Sequence, residues 1–215
     1  MSAWKAVVAS LEGGRACWLA IAKSWLTHQI RLEAVGAMRS AMTRPPDPPH
    51  GQCDAPLPHL RPLVPADGDQ VAEVYRDAVI SQAGVLYSPD QVRAWAAHGA
   101  ADHGPFREPL LRGFGLVSCG GAGGGEVEAF GLLDPPDRLA LLYCRGRSAR
   151  QGRATALLGA LEAHARDQGY RRLRTEASQL SRPLLERQGW QVEAEETAFY
   201  AGVAFQRWRM IRELT

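Results

Sequence analysis

Residues 45–62 read PPDPPHGQCDAPLPHLRP, and seven prolines in eighteen positions exclude a continuous helix, because each proline fixes φ and removes a backbone donor. Such a run favours extended, solvated chain. It divides the sequence into an N-terminal extension over 1–44, a linker over 45–58 and a segment over 59–215 that has to carry the fold. With 215 residues, 46% hydrophobic and 22% charged, the chain can bury one core of ordinary size.

Charge narrows the function classes. Counting up to residue 57 gives six basic and four acidic side chains, and the remainder carries nineteen of each. A net charge of +2 is too small and too dispersed for a dedicated nucleic-acid binder. Lys5 and Lys23 are the only lysines, so the arginine-rich remainder reflects a coding bias and no single Arg counts as a signal. Cys17, Cys53, Cys119 and Cys144 are too scattered for a zinc site, which points to no metal and to a reducing cytoplasm. The apolar stretch from Cys17 to Leu26 is interrupted by Lys23 and is about half of the roughly 20 residues that a membrane span needs. In the extension, Trp18, Ile21, Ala22, Trp25, Val35, Met38 and Met42 recur at helical spacing. Two readings stand: a partner-binding, membrane-surface or targeting helix, or an extension with no role, upstream of a true start at Met38 or Met42.

From His59 the pattern is orderly. HLRPLV reads as a strand, and Asp67 as the N-cap of a helix carrying Val71, Val74, Tyr75, Ala78 and Val79. Ser88 and Pro89 open a second helix. GFGLVSCG, EVEAFGLLD and RLALLYC follow as strands joined by the turns GAGGG and PPD, an antiparallel meander. Ala154–Gln168 is a helix with Leu157, Leu158, Leu161 and Ala165 on one face. RRLRTEA is a strand, SRPLLERQG a short helix, and two strands close the chain. The predicted fold is α/β: a mixed sheet, a meander plus one strand-helix-strand unit, with helices on both faces.

The glycine cluster at 120–125 is followed by no Gly-Lys-Ser/Thr and reads as a hairpin turn. The informative segment is LLYCRGRSARQGRATALL, a strand, a polar loop and a helix start. The first N–H groups of a helix lack internal partners and face anions with a positive dipole. Gln151, Gly152, Ala154, Thr155 and Ala156 leave room for a diphosphate to approach the backbone, and Arg150 and Arg153 are placed to add charge-assisted contacts.

In this context the segment resembles the GNAT superfamily of acyl-CoA-dependent N-acyltransferases, from about residue 59 to the C-terminus. The family signature Gln/Arg-x-x-Gly-x-Gly/Ala maps onto Gln151, Ala154 and Ala156. The ordered run of an Asp-Pro turn, LLYC, the QGR helix start, TEAS, RPLLERQGW and RM-x-x-x-L looks like the YafP-like branch. The resemblance implies acetyl-CoA as co-substrate, held by Leu142, Tyr143, Cys144 and residues 150–156 between a splayed fourth and fifth strand. It implies direct attack by an amine, with the backbone N–H of Cys144, and that of Tyr143 nearby, facing the thioester. Two departures stand out. Ala154 replaces the usual glycine, adding a methyl group and disfavouring any positive φ the loop needs. The loop CRGRSAR is longer than usual and lacks a proline.

Many relatives protonate the departing thiolate with a tyrosine, and Leu185 stands at that place. Glu176 is the first candidate for the base, its alternative role being a carboxylate that fixes a strand end. Tyr143, Tyr87 and His98 come after it, and His164 reads as a helix-face histidine. The Cys144 thiol, with no His and acid beside it in sequence, reads as structural. The acceptor groove is expected at Tyr87, Trp95 and Tyr200. It specifies no particular amine and leaves a small amine, a hydroxylamine or a peptide N-terminus as acceptor, in a monomer or a homodimer, with no nucleic-acid or membrane partner. A degenerate domain that senses acyl-CoA or serves as a scaffold is the alternative.

Overall fold

A computed structural model describes residues 58–100, 107–120 and 125–215. The expectations for the extension, the linker up to residue 57 and most of the GAGGG turn fall outside the described residues. The elements are β1 (His59–Pro62), α1 (Gly68–Gln82), α2 (Pro89–Ala100), α3 (Arg107–Arg112), β2 (Phe114–Gly120), β3 (Glu126–Leu133), β4 (Leu139–Cys144), α4 (Arg153–Asp167), β5 (Arg172–Ala177), α5 (Arg182–Arg187), β6 (Gln191–Tyr200) and β7 (Val203–Glu213). Only α3 is absent from the sequence reading, since six residues are too few to display a period.

The predicted mixed sheet is realised as two antiparallel sheets, ordered β1-β2-β3-β4 and β5-β7-β6. Their parallel contact is one bridge between Arg138 and Arg174, supported by the Arg174 N–H to Asp137 O bond of 3.0 Å and by Thr175 Oγ1 donating to Leu139 O at 2.7 Å. Beyond that junction no ladder joins β4 to β5 among the described residues. Each strand keeps an open edge there.

The first sheet is covered on both faces, so β3 is buried over its whole length after Glu126. Val71, Val74, Tyr75 and Val79 of α1 pack with Val117, Phe130 and Leu132 on one face. Leu157, Leu158, Leu161 and Ala165 of α4 pack with Leu116, Leu133 and Leu139 on the other. Gly131 allows that approach, because a Cβ there would lie 2.7 Å from Leu161 Cδ1.

The two predicted helix starts differ. Ser88 caps α2 reciprocally: its Oγ accepts the Gln91 N–H at 3.3 Å while Gln91 Oε1 accepts the Ser88 N–H at 3.0 Å. Asp67 occupies the N-cap position of α1, yet its carboxylate turns back and does not cap the helix. It takes two 2.7 Å bonds from Arg61 and the Val64 N–H at 2.9 Å. Burial alone would raise this carboxyl; the three hydrogen bonds outweigh it and hold the group below the usual carboxylate range.

Candidate functional site at the open edge of strand β4

The open edge presents alternate backbone groups. The Arg145 N–H donates to Glu128 O at 2.9 Å, which places Arg145, Tyr143 and Leu141 among the residues that exchange bonds with β3. The N–H and C=O of Leu142 and Cys144 then point away from β3, into the gap towards β5. The Cys144 carbonyl agrees, accepting from Gln82 Nε2 of α1 at 2.8 Å. Of the two N–H groups expected to face a thioester, only that of Cys144 points into the gap. The N–H of Tyr143 turns to β3 because neighbouring residues of a strand alternate.

At the end of β4 a short 3-10 turn, Gly146–Ser148, leads to the start of α4. Buried Glu128 anchors this loop. Ser148 Oγ donates to Glu128 Oε2 at 2.6 Å, and Arg147 Nη2 to Oε1 at 2.6 Å. Burial pushes the Glu128 carboxyl up, and the bonds from Arg147 and Ser148 outweigh that and bring it below the usual range. The Gly146 N–H donates to Asp77 Oδ2 at 2.7 Å, and Arg145 reaches Glu73 at 3.2 Å.

Within this loop the positive φ values fall at Arg150 (63°) and at Gly152 (77°), the N-cap of α4. Ala154 lies inside the helix, so the expected conflict between its side chain and a left-handed backbone does not arise. Gly152 carries no side-chain cap, a loss of a few tenths of a kcal/mol relative to Ser or Asp. Three fully buried leucines on α4 contribute about 1.5–3 kcal/mol each, so packing holds the helix without a cap. Its first N–H groups stay open, and a Cβ at Gly152 would meet nothing within 4 Å. Gln151, Gly152 and Thr155 are exposed around this turn, Ala154 and Ala156 half-buried, and Arg150 points its exposed side chain to solvent. Arg153 turns elsewhere: its Nη1 donates to Ser118 Oγ at 2.8 Å and Cys119 O at 3.0 Å, tying α4 to β2.

A cavity of about 470 Å³ opens between β4 and β5 and extends under α1, α2 and β7. Leu142, Tyr143, Cys144, Ala154 and Glu176 line it together with Tyr87, Trp95 and Tyr200, so the strand, carboxylate and acceptor residues converge on one space. Glu176 Oε2 receives Arg138 Nε at 2.9 Å and Nη2 at 2.5 Å. Oε1 has no hydrogen-bond partner among the described residues. Burial raises the Tyr143 hydroxyl well above its ordinary value and keeps it protonated. Its ring lies 4.6 Å from that of Tyr75. Burial pushes the Cys144 thiol up to about 11, and its Sγ lies 3.3 Å from Ser148 O, as a neutral donor. No imidazole among the described residues contacts it: His164 stacks on Phe114 at 3.4 Å, and His98 lies 4.8 Å from the Tyr200 ring. Leu185 lines the cavity and is buried.

Sequence reasoning missed Tyr75, Gln82, Arg138 and Phe205, which also line the cavity. Tyr75 and Gln82 sit on the buried side of α1, where helical period predicts core packing and nothing else. Arg138 was discounted with the other arginines; its place at the start of β4, opposite TEAS, was the usable signal. Among the described residues no group of three His, Cys, Asp or Glu side chains is arranged to hold a metal ion, and no helix is long and apolar enough to cross a membrane.

Comparison with known proteins agrees with this architecture. Residues 124–212 match the family model of the acetyltransferase (GNAT) domain. A GCN5-related N-acetyltransferase from Rhodopseudomonas palustris, also described as a class-II aminotransferase, is 25% identical with a TM-score of 0.70, covering 76% of this chain and 100% of its own. The PaiA N-acetyltransferase of Thermoplasma acidophilum, solved with coenzyme A, is 15% identical with a TM-score of 0.56, covering 72% of this chain and 98% of its own. An N-acetyltransferase from Staphylococcus aureus Mu50 is 19% identical with a TM-score of 0.50, over 73% and 98% of the two chains. No curated protein matches the sequence. Two antiparallel sheets parting at β4 and β5, with helices on both faces, give this chain the fold of the GNAT-superfamily acetyltransferases.

Proposed function

We propose that the protein is an acetyl-CoA-dependent N-acyltransferase, of the YafP-like branch, that transfers an acetyl group directly to a small amine in a ternary complex. The observation that carries this reading is the meeting of two sets of open backbone N–H groups at one cleft: those of Leu142 and Cys144 on the gap-facing edge of β4, and those of the uncapped start of α4, which reaches the cleft at Ala154. A strand edge suits an extended amide-bearing chain, and a helix N-terminus suits a diphosphate. Coenzyme A carries both, and the similar PaiA protein was solved with it.

When bound, acetyl-CoA supplies the activated acyl group. The chain orients the amine against it and stabilises the charge that develops on the acyl oxygen, through the Cys144 N–H. Glu176, held by Arg138 through Oε2, takes the amine proton on Oε1, directly or through one water. Tyr143, neutral and half-buried, is a proton donor on the same wall. Leu185 supplies no hydroxyl, so the thiolate takes its proton from Tyr143 or from solvent. The protein acts in the cytoplasm as a monomer or homodimer, without metal, nucleic acid or membrane.

One observation favours a second reading, an acyl-CoA sensor or scaffold. Arg145, Arg147 and Arg153 are all engaged within the protein, which leaves Arg150 as the loop cation directed to solvent. Thermal unfolding of the full chain separates the readings. Acetyl-CoA at 100 times its Kd stabilises by about 2.7 kcal/mol, and NADH should leave the melting temperature unchanged. Binding accompanied by release of free thiol on adding amine supports the enzyme. Binding without turnover supports the sensor, and no shift at millimolar acetyl-CoA contradicts both the enzyme and the sensor and leaves the scaffold.

A further inference from the structure

The end of the cavity away from α4 is closed by the rings of Tyr87, Trp95, Tyr200 and Phe205, brought together from four separate elements and turns. Tyr87 and Trp95 meet edge-on at 5.3 Å, Trp95 and Phe205 at 6.1 Å, and Tyr200 and Phe205 at 4.9 Å. Tyr87, Trp95 and Phe205 are at most 8% exposed, so they form a fixed floor and not a mobile fringe. Two hydroxyls at this floor are bonded within the protein. The Tyr87 hydroxyl accepts the Gln179 N–H at 2.9 Å, and the Tyr75 hydroxyl donates to Trp95 O at 3.1 Å.

The charged side chains around the cavity are also paired within the protein. Arg138 holds Glu176, Arg112 holds Asp134 through two 3.0 Å bonds, and Arg207 pairs with Glu196. A polyamine or aminoglycoside would need carboxylates free to receive its several ammonium groups. An acidic acceptor would need an unpaired cation. Beyond the one Glu176 oxygen the described lining offers neither, whereas the end of the cavity walled by rings suits a compact apolar body.

Resting on the N-acyltransferase reading, we infer that the acceptor is a primary amine carried on a neutral aromatic body, of the arylalkylamine type, seated on the Tyr87–Trp95–Tyr200–Phe205 floor. Aromatic edge and face contacts orient it, and its amine points back towards Glu176 at the β4–β5 junction. Charge pairing around the rim disfavours polycations by leaving their extra ammonium groups desolvated and unmatched.

The test is a comparison of initial rates of acetyl transfer by the full chain to phenethylamine and to spermidine, with coenzyme A binding measured separately by calorimetry. Phenethylamine is expected to show a kcat/KM at least about tenfold higher. Phe205→Leu, which keeps an apolar residue but removes a ring, should lower the phenethylamine value about tenfold and leave the Kd for coenzyme A unchanged. Should that variant fail to fold, the wild-type rates and a melting shift with phenethylamine alone decide. Coenzyme A binding with spermidine preferred, or with neither a rate nor a melting shift from phenethylamine, overturns the aromatic acceptor. Failure to bind coenzyme A overturns the underlying activity instead.

Discussion

The two ends of the cleft are built by different physics. At the α4 end, one continuous stretch from Tyr143 to Ala156 supplies a strand edge, a charge-tied loop and a helix start. At the far end, rings from α1–α2, β6 and β7 meet only because two sheets and two helices have packed. The first end presents backbone groups that local sequence leaves unpaired. The second presents side chains that tertiary structure gathers. The contrast teaches that substitutions at the two ends should separate: the aromatic end couples stability to the amine, and the loop end couples local order to acetyl-CoA.

Trp95→Ala is expected to be the largest perturbation. Removing a buried indole costs about 3–5 kcal/mol of unfolding free energy, measurable by urea denaturation. Any folded fraction should bind acetyl-CoA with its original affinity, and a parallel loss of that affinity would break the separation.

Glu128→Ala comes next, at about 1–3 kcal/mol, because it removes the carboxylate that receives Ser148 and Arg147. Its folded-state pKa is lowered, so its contribution is complete above the ordinary carboxylate range and lost as pH falls through the lowered value. The gap in melting temperature between wild type and variant should therefore narrow on acidification below about pH 4.5. A gap that does not change with pH would show that the loop is not held by this charge.

Gly152→Ala places a Cβ on a backbone at φ 77°, at about 1–2 kcal/mol. Acetyl-CoA affinity should fall with it, read by calorimetry, while the rate ratio between amines stays as it was. The smallest effect is expected for Cys144→Ala, within about 1 kcal/mol and with turnover retained. The half-buried thiol, pushed up to about 11, is neutral at pH 7 and is expected to resist alkylation. Its raised pKa adds stability that is complete below the ordinary thiol range near 9 and fades as pH rises to about 11. Loss of turnover in this variant would restore a nucleophilic role.

Those differences also explain what was legible. Periods of 3.6 in α1 and α4 and the apolar strands β2, β3 and β4 fix the layers, because a sheet covered on both faces needs such runs. Asp67 shows the limit of a local rule: a capping residue in the right place was captured by Arg61, six residues back. The loop was legible as a helix start, but not its conformation. A comparison of residue types put the glycine demand at position 154, whereas the left-handed backbone falls at 150 and 152. TEAS marks Glu176 as a candidate, while its partner Arg138 and the ring Phe205, which line the same cavity, have nothing in their local pattern that marks them apart from ordinary turn and strand residues. The division of β4 into bonded and free N–H groups requires the register, which sequence does not supply.

That division is the central claim, and residue-resolved amide exchange of the full chain by NMR, with and without acetyl-CoA, tests it directly. The Leu142 and Cys144 amides, and those of Arg153 to Thr155, are predicted to gain protection on adding acetyl-CoA, while that of Tyr143, already bonded to β3, stays unchanged. Unchanged exchange at Cys144 and at the start of α4, with saturating acetyl-CoA, would contradict the account.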